Sequence, residues 1–209
     1  MNEHDPAADP DAALLAQLRA GDPDALEALF ERHRPYLRRL AELFLDERLS
    51  ARVDASDLIQ ETQLEAFRRI EDYLDEPPMP FRLWLRRMIR DRAGMARRFH
   101  LTSAKRSRHR EMPLPDRSSA LLTRQLLGEV DTPSEQVAKR ETAREVRSAV
   151  DSLAEADREI LTMRTFEKLS FEEIALVIGV RPEAARKRHG RALIRLTRRL
   201  EDSTTEVPT

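Results

Sequence analysis

The stretch from Leu169 to Leu200 limits what this chain can fold into more than any other. Ser170 is positioned as a helix N-cap, and Glu173, three residues on, completes a capping box. Ile174, Ala175 and Ile178 recur at helical spacing and face a core. Gly179 supplies the left-handed residue that ends the first helix. Pro182 stands where a second helix starts, in the first turn, where a missing N–H costs nothing. From Pro182 to Leu200 the only acid is Glu183, against Arg186, Lys187, Arg188, Arg191, Arg195, Arg198 and Arg199. Ala185, Ala192, Leu193, Leu196 and Leu200 form an apolar face beside that charge. A short helix, a tight turn and a basic second helix describe a helix-turn-helix that carries side chains into a DNA major groove. The same geometry also serves plain helical packing, so a second segment has to decide between the two.

Glycine is scarce and long β-branched runs are absent, which predicts an all-α chain. The net charge of −1 looks unsuited to nucleic acid until its distribution is read. The first eleven residues hold four acids and no Lys or Arg, whereas Phe81 to Arg110 and Pro182 to Arg199 are strongly basic. Local patches, not net charge, set phosphate affinity. With no cysteine, disulfides and thiolate zinc sites are excluded. No secretory signal pattern opens the chain, and no stretch approaches the roughly 20 apolar residues of a membrane span. A cytoplasmic protein without membrane contact is expected.

The periodicity divides the chain into two small helical domains joined by a flexible linker. Residues 1–10 form an acidic tail, 11–101 a first domain, 102–133 the linker, 134–201 the helix-turn-helix domain and 202–209 a second tail. In the first domain, Asp11 to Arg19 is a short helix, followed by a stop-and-restart signal at Gly21-Asp22-Pro23. Helices then follow at Asp24 to about Leu45, Asp54 to Tyr73 and Phe81 to Phe99. Asp46 to Val53 reads as a loop, and three prolines break the chain between Asp75 and Pro80. Within the linker, Ala120 to Leu127 can form a helical turn or two. Helices at Ser134 to Ser152 and Glu155 to Phe166 lead into the helix-turn-helix.

The deciding segment is Asp54 to Phe67. Asp57, Glu61 and Glu65 stand at i, i+4 and i+8, with Gln60 and Leu64 beside them, while Leu58, Ile59, Ala66, Phe67 and Ile70 supply the buried side. Such an acidic stripe suits a basic protein partner, although a solvated helix face gives the same spacing. Downstream, Arg82, Arg86, Arg87, Arg90 and Arg97 offer a phosphate-binding face. Trp84 belongs by default to the core, with Leu85, Met88 and Ile89. Tyr73, Met79 and Phe81 flank the proline break, where they either stack on an unpaired base or pack ordinarily.

In order and spacing these segments resemble a known family. Asp57-Leu58-Ile59-Gln60-Glu61-Thr62 resembles the Asp-Leu-Val-Gln-Glu-Thr signature of sigma region 2.2. Phe81-Arg82-Leu83-Trp84-Leu85 resembles the Phe-Arg-x-Trp-Leu of regions 2.3 and 2.4, and Leu169 to Ala192 resembles region 4.2. The chain is similar, from about Leu14 to Leu200, to extracytoplasmic-function (group 4) bacterial sigma factors of the sigma-70 class. Gln63 stands where the family usually has an apolar residue, and Pro182, Ala184 and Ala185 make the start of the recognition helix less polar than usual.

The resemblance implies a region 2-like four-helix domain, a region 4-like helix-turn-helix domain and a dissociable RNA polymerase subunit. Asp54, Asp57, Gln60, Glu61 and Glu65 then grip the coiled coil of the largest core subunit. Tyr73, Met79, Phe81, Arg82, Arg86, Arg87 and Arg90 meet the melted minus-ten element, with a base flipped into the proline loop. Arg181, Glu183, Arg186, Lys187, Arg188 and Arg191 read the minus-thirty-five element. The second domain rests on the flap of the second-largest subunit, the linker threads toward the active-site channel, and an anti-sigma factor is a further partner. No cofactor or metal is implied.

Two other classes compete. A stand-alone helix-turn-helix regulator explains the basic helix but not Asp57 to Glu65, and it normally needs a dimer to place two half-sites. For an enzyme, the histidines (His4, His33, His100, His109, His189) are scattered, with no metal-ligand pair at helical spacing and no glycine-rich phosphate loop.

Overall fold

The computed structural model describes residues 10–45, 53–104 and 145–205, with side chains through 99 and 202 in the last two stretches. The linker reading, both tails and the helix expected from Ser134 therefore fall wholly or largely outside the described residues. Every regular element among the described residues is helical. The chain divides into two compact units, 1–110 and 111–209.

The first unit holds α1 (Ala12–Arg19), α2 (Asp24–Phe44), α3 (Ala55–Arg68), α4 (Ile70–Asp75) and α5 (Phe81–Ala104). Gly21, at φ 91°, takes the left-handed conformation that closes α1. The Asp22 carboxylate accepts from the Asp24 N–H at 3.1 Å and starts α2. α2 packs on α1, α3 and α5, and α3 also packs on α5. Leu29, Leu37, Leu40, Leu43, Leu58, Leu83, Leu85 and Ile89 fill the space between them. The one long helix expected over Asp54 to Tyr73 is broken at Arg69 (φ −112°, ψ 9°), which raises the expected four helices to five.

One polar pair ties the start of the chain to this core. Asp11, just before α1, accepts from His33 Nε2 of α2 at 2.7 Å, and both side chains are buried. Arg32 Nη1 binds Asp11 Oδ1 at 3.1 Å and also the Pro10 carbonyl. Burial pushes the Asp11 carboxyl up, but the bond and charge of His33, and then of Arg32, outweigh it and hold the group below its ordinary range.

The second unit is described from residue 145, in helical turns across 145–151, then α6 (Glu155–Thr165), α7 (Phe171–Ile178) and α8 (Pro182–Thr205). α8 packs on both α6 and α7, burying Ala185, Ala192 and Leu196 against Ile160, Leu161, Met163, Ile174 and Ala175. The local signals read from sequence are all present. Ser170 Oγ accepts from the Glu173 N–H at 3.1 Å, while Glu173 Oε2 accepts from the Ser170 N–H at 2.8 Å. Gly179 is left-handed at φ 66°, and α8 opens on Pro182.

Candidate polymerase-docking and promoter-reading surfaces

The acidic stripe of α3 divides in two. Asp57, Gln60 and Glu61 are exposed, and among the described residues no cation pairs with either carboxylate. Leu64 (51% exposed) and Phe67 (63% exposed) stand on the same helix. The expectation that Phe67 is buried is therefore incorrect. The inward line of α3 is Leu58, Ile59, Thr62 and Ala66, and Phe67 follows Ala66 by about 100° around the axis. Thr62 fits inside because its hydroxyl donates to the Leu58 carbonyl at 2.7 Å.

Two acids of the expected docking set have structural partners within the chain. Asp54 is the N-cap of α3, accepting from the Ser56 N–H at 2.7 Å. Glu65 is held at 2.7 Å by Arg69 of the turn after α3 and at 2.6 Å by Arg92 of α5. Its side chain is only 17% exposed.

The proline break carries a second correction. Tyr73, Met79 and Phe81 do not offer free faces to a base: all three are buried, Phe81 completely. The Tyr73 ring lies 4.5 Å from Trp84 and 5.5 Å from Phe81, and Phe81 lies 5.8 Å from His33. These contacts make one aromatic cluster across α2, α4 and α5. Tyr73 Oη donates to the Met79 carbonyl at 3.1 Å, which closes the loop across its own prolines. Glu76, Pro77, Pro78 and Pro80 remain exposed, held between anchored ends.

The arginines of α5 separate as well. Arg86 is completely buried, its guanidinium 5.8 Å from the centre of the Phe44 ring, so it cannot meet a phosphate from this position. Arg82 is half-buried, 5.3 Å over the Tyr36 ring. Arg90 is half-buried, Arg87 is exposed, and Arg97 reaches the Phe44 carbonyl at 3.4 Å.

On α8, Glu183, Arg186, Lys187, Arg188 and Arg191 are all exposed, as is Arg181 just before it. They do not share one face. At about 100° per residue, Glu183, Lys187 and Arg191 form the outward line opposite the buried Ala185, Ala192 and Leu196. Arg186 and Arg188 flank that line on either side, roughly 160° apart. Lys187 pairs with Glu183 at 2.7 Å. Arg195 lies outside this set because both oxygens of Asp157 hold it at 2.8 and 2.7 Å. Leu193, expected on the apolar face, is 40% exposed.

A helical unit bearing an acidic and apolar outer face, together with a unit built on a basic helix-turn-helix, defines a bipartite transcription protein. Family comparisons specify it further. Residues 29–100 match the Sigma-70 region 2 model and residues 143–196 the Sigma-70, region 4 model. The chain is 30% identical over 182 residues to the ECF RNA polymerase sigma-E factor of Haemophilus influenzae, covering 87% of this chain and 90% of that protein. It is 28% identical over 194 residues to the RNA polymerase sigma factor CnrH of Cupriavidus metallidurans, covering 92% and 95%. The solved structure of CnrH in complex with the cytosolic domain of CnrY shares the fold, with a TM-score of 0.54, 24% identity and coverage of 92% and 97%. The chain belongs to the extracytoplasmic-function group of the sigma-70 family and is an RNA polymerase sigma factor. These relatives do not favour a stand-alone regulator, and sigma factors as a class are not enzymes. No helix among the described residues is long and apolar enough to cross a membrane.

Proposed function

We propose that the exposed Asp57, Gln60 and Glu61 of α3, with Leu64 and Phe67 as apolar anchors, dock on a basic coiled coil of the largest core polymerase subunit. The single observation that carries this reading is the coincidence on one helix of exposed acids and two large exposed apolar side chains. Apolar side chains grouped on one face beside charged residues mark interaction sites more often than scattered ones do. Asp54, as a cap, and Glu65, as an internal ion pair, support this face from within the chain.

Promoter contact divides between the units. Residues 11–101 serve polymerase and minus-ten DNA, and residues 134–201 serve the minus-thirty-five element and the flap of the second-largest subunit. The loop at Glu76 to Pro80 receives an unpaired base, while Arg82, Arg87 and Arg90 attract the adjacent phosphates. Tyr73, Met79, Phe81 and Arg86 act from the core by fixing the loop and α5. In the second unit, Glu183, Lys187 and Arg191 face base edges, and Arg181, Arg186 and Arg188 take backbone phosphates. Two weak modules gain avidity only when their spacing is fixed, so the free chain binds promoter DNA weakly and holoenzyme binds it tightly. An anti-sigma factor is a third partner, and the chain acts in the cytoplasm by binding, without catalysis.

The test is a pull-down with bacterial core RNA polymerase, comparing wild type with Asp57→Arg/Glu61→Arg. Retention of wild type and loss of the reversed variant, with folding intact, is the expected result. Equal retention of both overturns the docking assignment.

A further inference from the structure

Phe171 has no task in that reading, yet three charged or titratable side chains gather around it. It opens α7 directly after the Ser170 cap and is half-buried. The Arg164 guanidinium, from the end of α6, lies 4.8 Å from the ring centre. The Arg186 guanidinium, from α8, lies 5.3 Å from it. The His189 ring stands edge-on at 5.6 Å and 68°. Arg164 is fixed at its other edge, where Nη1 donates to the Leu169 carbonyl at 2.8 Å. Burial, and then the Arg164 charge, push His189 below its ordinary range, so a third cation is not added at neutral pH. Exposed Glu172 lies close enough for Arg186 and Arg164 to act on it. Its carboxyl is held low first by its own backbone N–H and by Ser170, and then by these two charges.

Two guanidinium groups of like charge thus converge on one aromatic ring at the entrance of the recognition helix. A ring engages the flat face of a guanidinium and leaves its N–H edges directed outward. A side chain held this way loses less freedom when it binds, and its fork is preset for a bidentate phosphate contact.

We infer that Phe171 is a positioning residue for promoter recognition: its ring orients Arg186, alongside Arg164, toward a backbone phosphate beside the groove that α8 enters. This rests on the reading of α8 as the recognition helix.

The experiment uses holoenzyme assembled from the full chain and bacterial core polymerase. The probe is a fluorescent promoter duplex selected by wild-type holoenzyme from a pool randomised at its upstream element. Phe171→Leu weakens binding about two- to five-fold and flattens its salt dependence, while core polymerase affinity is unchanged. Phe171→Tyr restores both. In an Arg186→Ala background, Phe171→Leu has no further effect. An equal loss in that background, no loss in the single variant, or no rescue by Tyr overturns the inference. If Phe171→Leu does not fold, Arg186→Lys replaces it, keeping the charge without the guanidinium fork. Wild-type binding by that variant also overturns the inference. Should Arg186→Ala itself be silent, the recognition-helix reading fails and the inference with it. An active Arg186 with an uncoupled Phe171 sinks the inference alone.

Discussion

Glu65 separates the proposed docking face from its scaffold, and removing its carboxylate tests that division. The side chain bridges Arg69 at 2.7 Å and Arg92 at 2.6 Å. Arg69 is 61% exposed, so that pair contributes only a few tenths of a kcal/mol, about the value for surface helix pairs. Arg92 is 25% exposed and joins α3 to α5, and a charge-assisted bond in that setting is worth about 1.5 kcal/mol. Glu65→Ala should therefore cost about 2 kcal/mol, lowering the melting temperature of a domain this size by roughly 10 °C. Arg92→Ala should cost a similar amount, and the double variant should cost little more than either, because the two share one interaction. Affinity for core polymerase, measured by titration well below the melting temperature, should stay within about two-fold of wild type. Glu61→Arg should do the reverse, weakening core binding at least about ten-fold at unchanged stability. If Glu65→Ala loses core affinity without losing stability, the stripe at positions 57, 61 and 65 is one docking surface and the division drawn here is wrong.

Tyr73→Phe should cost about 1–2 kcal/mol by leaving the Met79 carbonyl without its donor. Permanganate reactivity should show slower promoter melting at unchanged core affinity. Ser170→Ala removes the side-chain half of the capping box, leaving the residue-170 N–H on Glu173, and the second unit should lose about 1 kcal/mol in thermal denaturation. His189 binds its proton less readily folded than unfolded, so the unfolded chain takes up more protons as pH falls through the ordinary histidine range. Stability of the second unit should be full above that range and fall as pH drops toward the lowered folded value. In denaturation followed across this range, His189→Leu should remove the dependence.

What could be read from sequence was local. Ser170 with Glu173, Gly179 and Pro182 each specify their own backbone geometry within a few residues, and each is found as expected. The break at Arg69 carries no glycine or proline signal; beyond it, Ile70 and Tyr73 are buried. Periodicity gives the inward side of α3 but not its edge, which is why Phe67 is expected inward and lies outside. The burial of Arg86 escapes sequence spacing for a related reason. A long guanidinium side chain can lie along a packed face beside Phe44, and sequence spacing cannot tell that from a solvated arginine. The aromatic cluster of Tyr73, Phe81 and Trp84 joins α4 to α5 across the proline break, and because sequence spacing does not give that packing, base stacking and core packing both stay open for Tyr73 and Phe81 until the helices are placed.

The stapled proline loop also bears on how such a chain can diversify. Its anchors, Tyr73, Met79 and Phe81, belong to the hydrophobic core, whereas Glu76, Pro77, Pro78 and Pro80 contribute almost nothing to it. Mutations between the anchors therefore remove little packing and fall on the proposed minus-ten-reading loop. On the proposed reading, the loop is an interchangeable cassette: a new promoter preference can be grafted there, or can arise there by drift, while the packed anchors keep the fold.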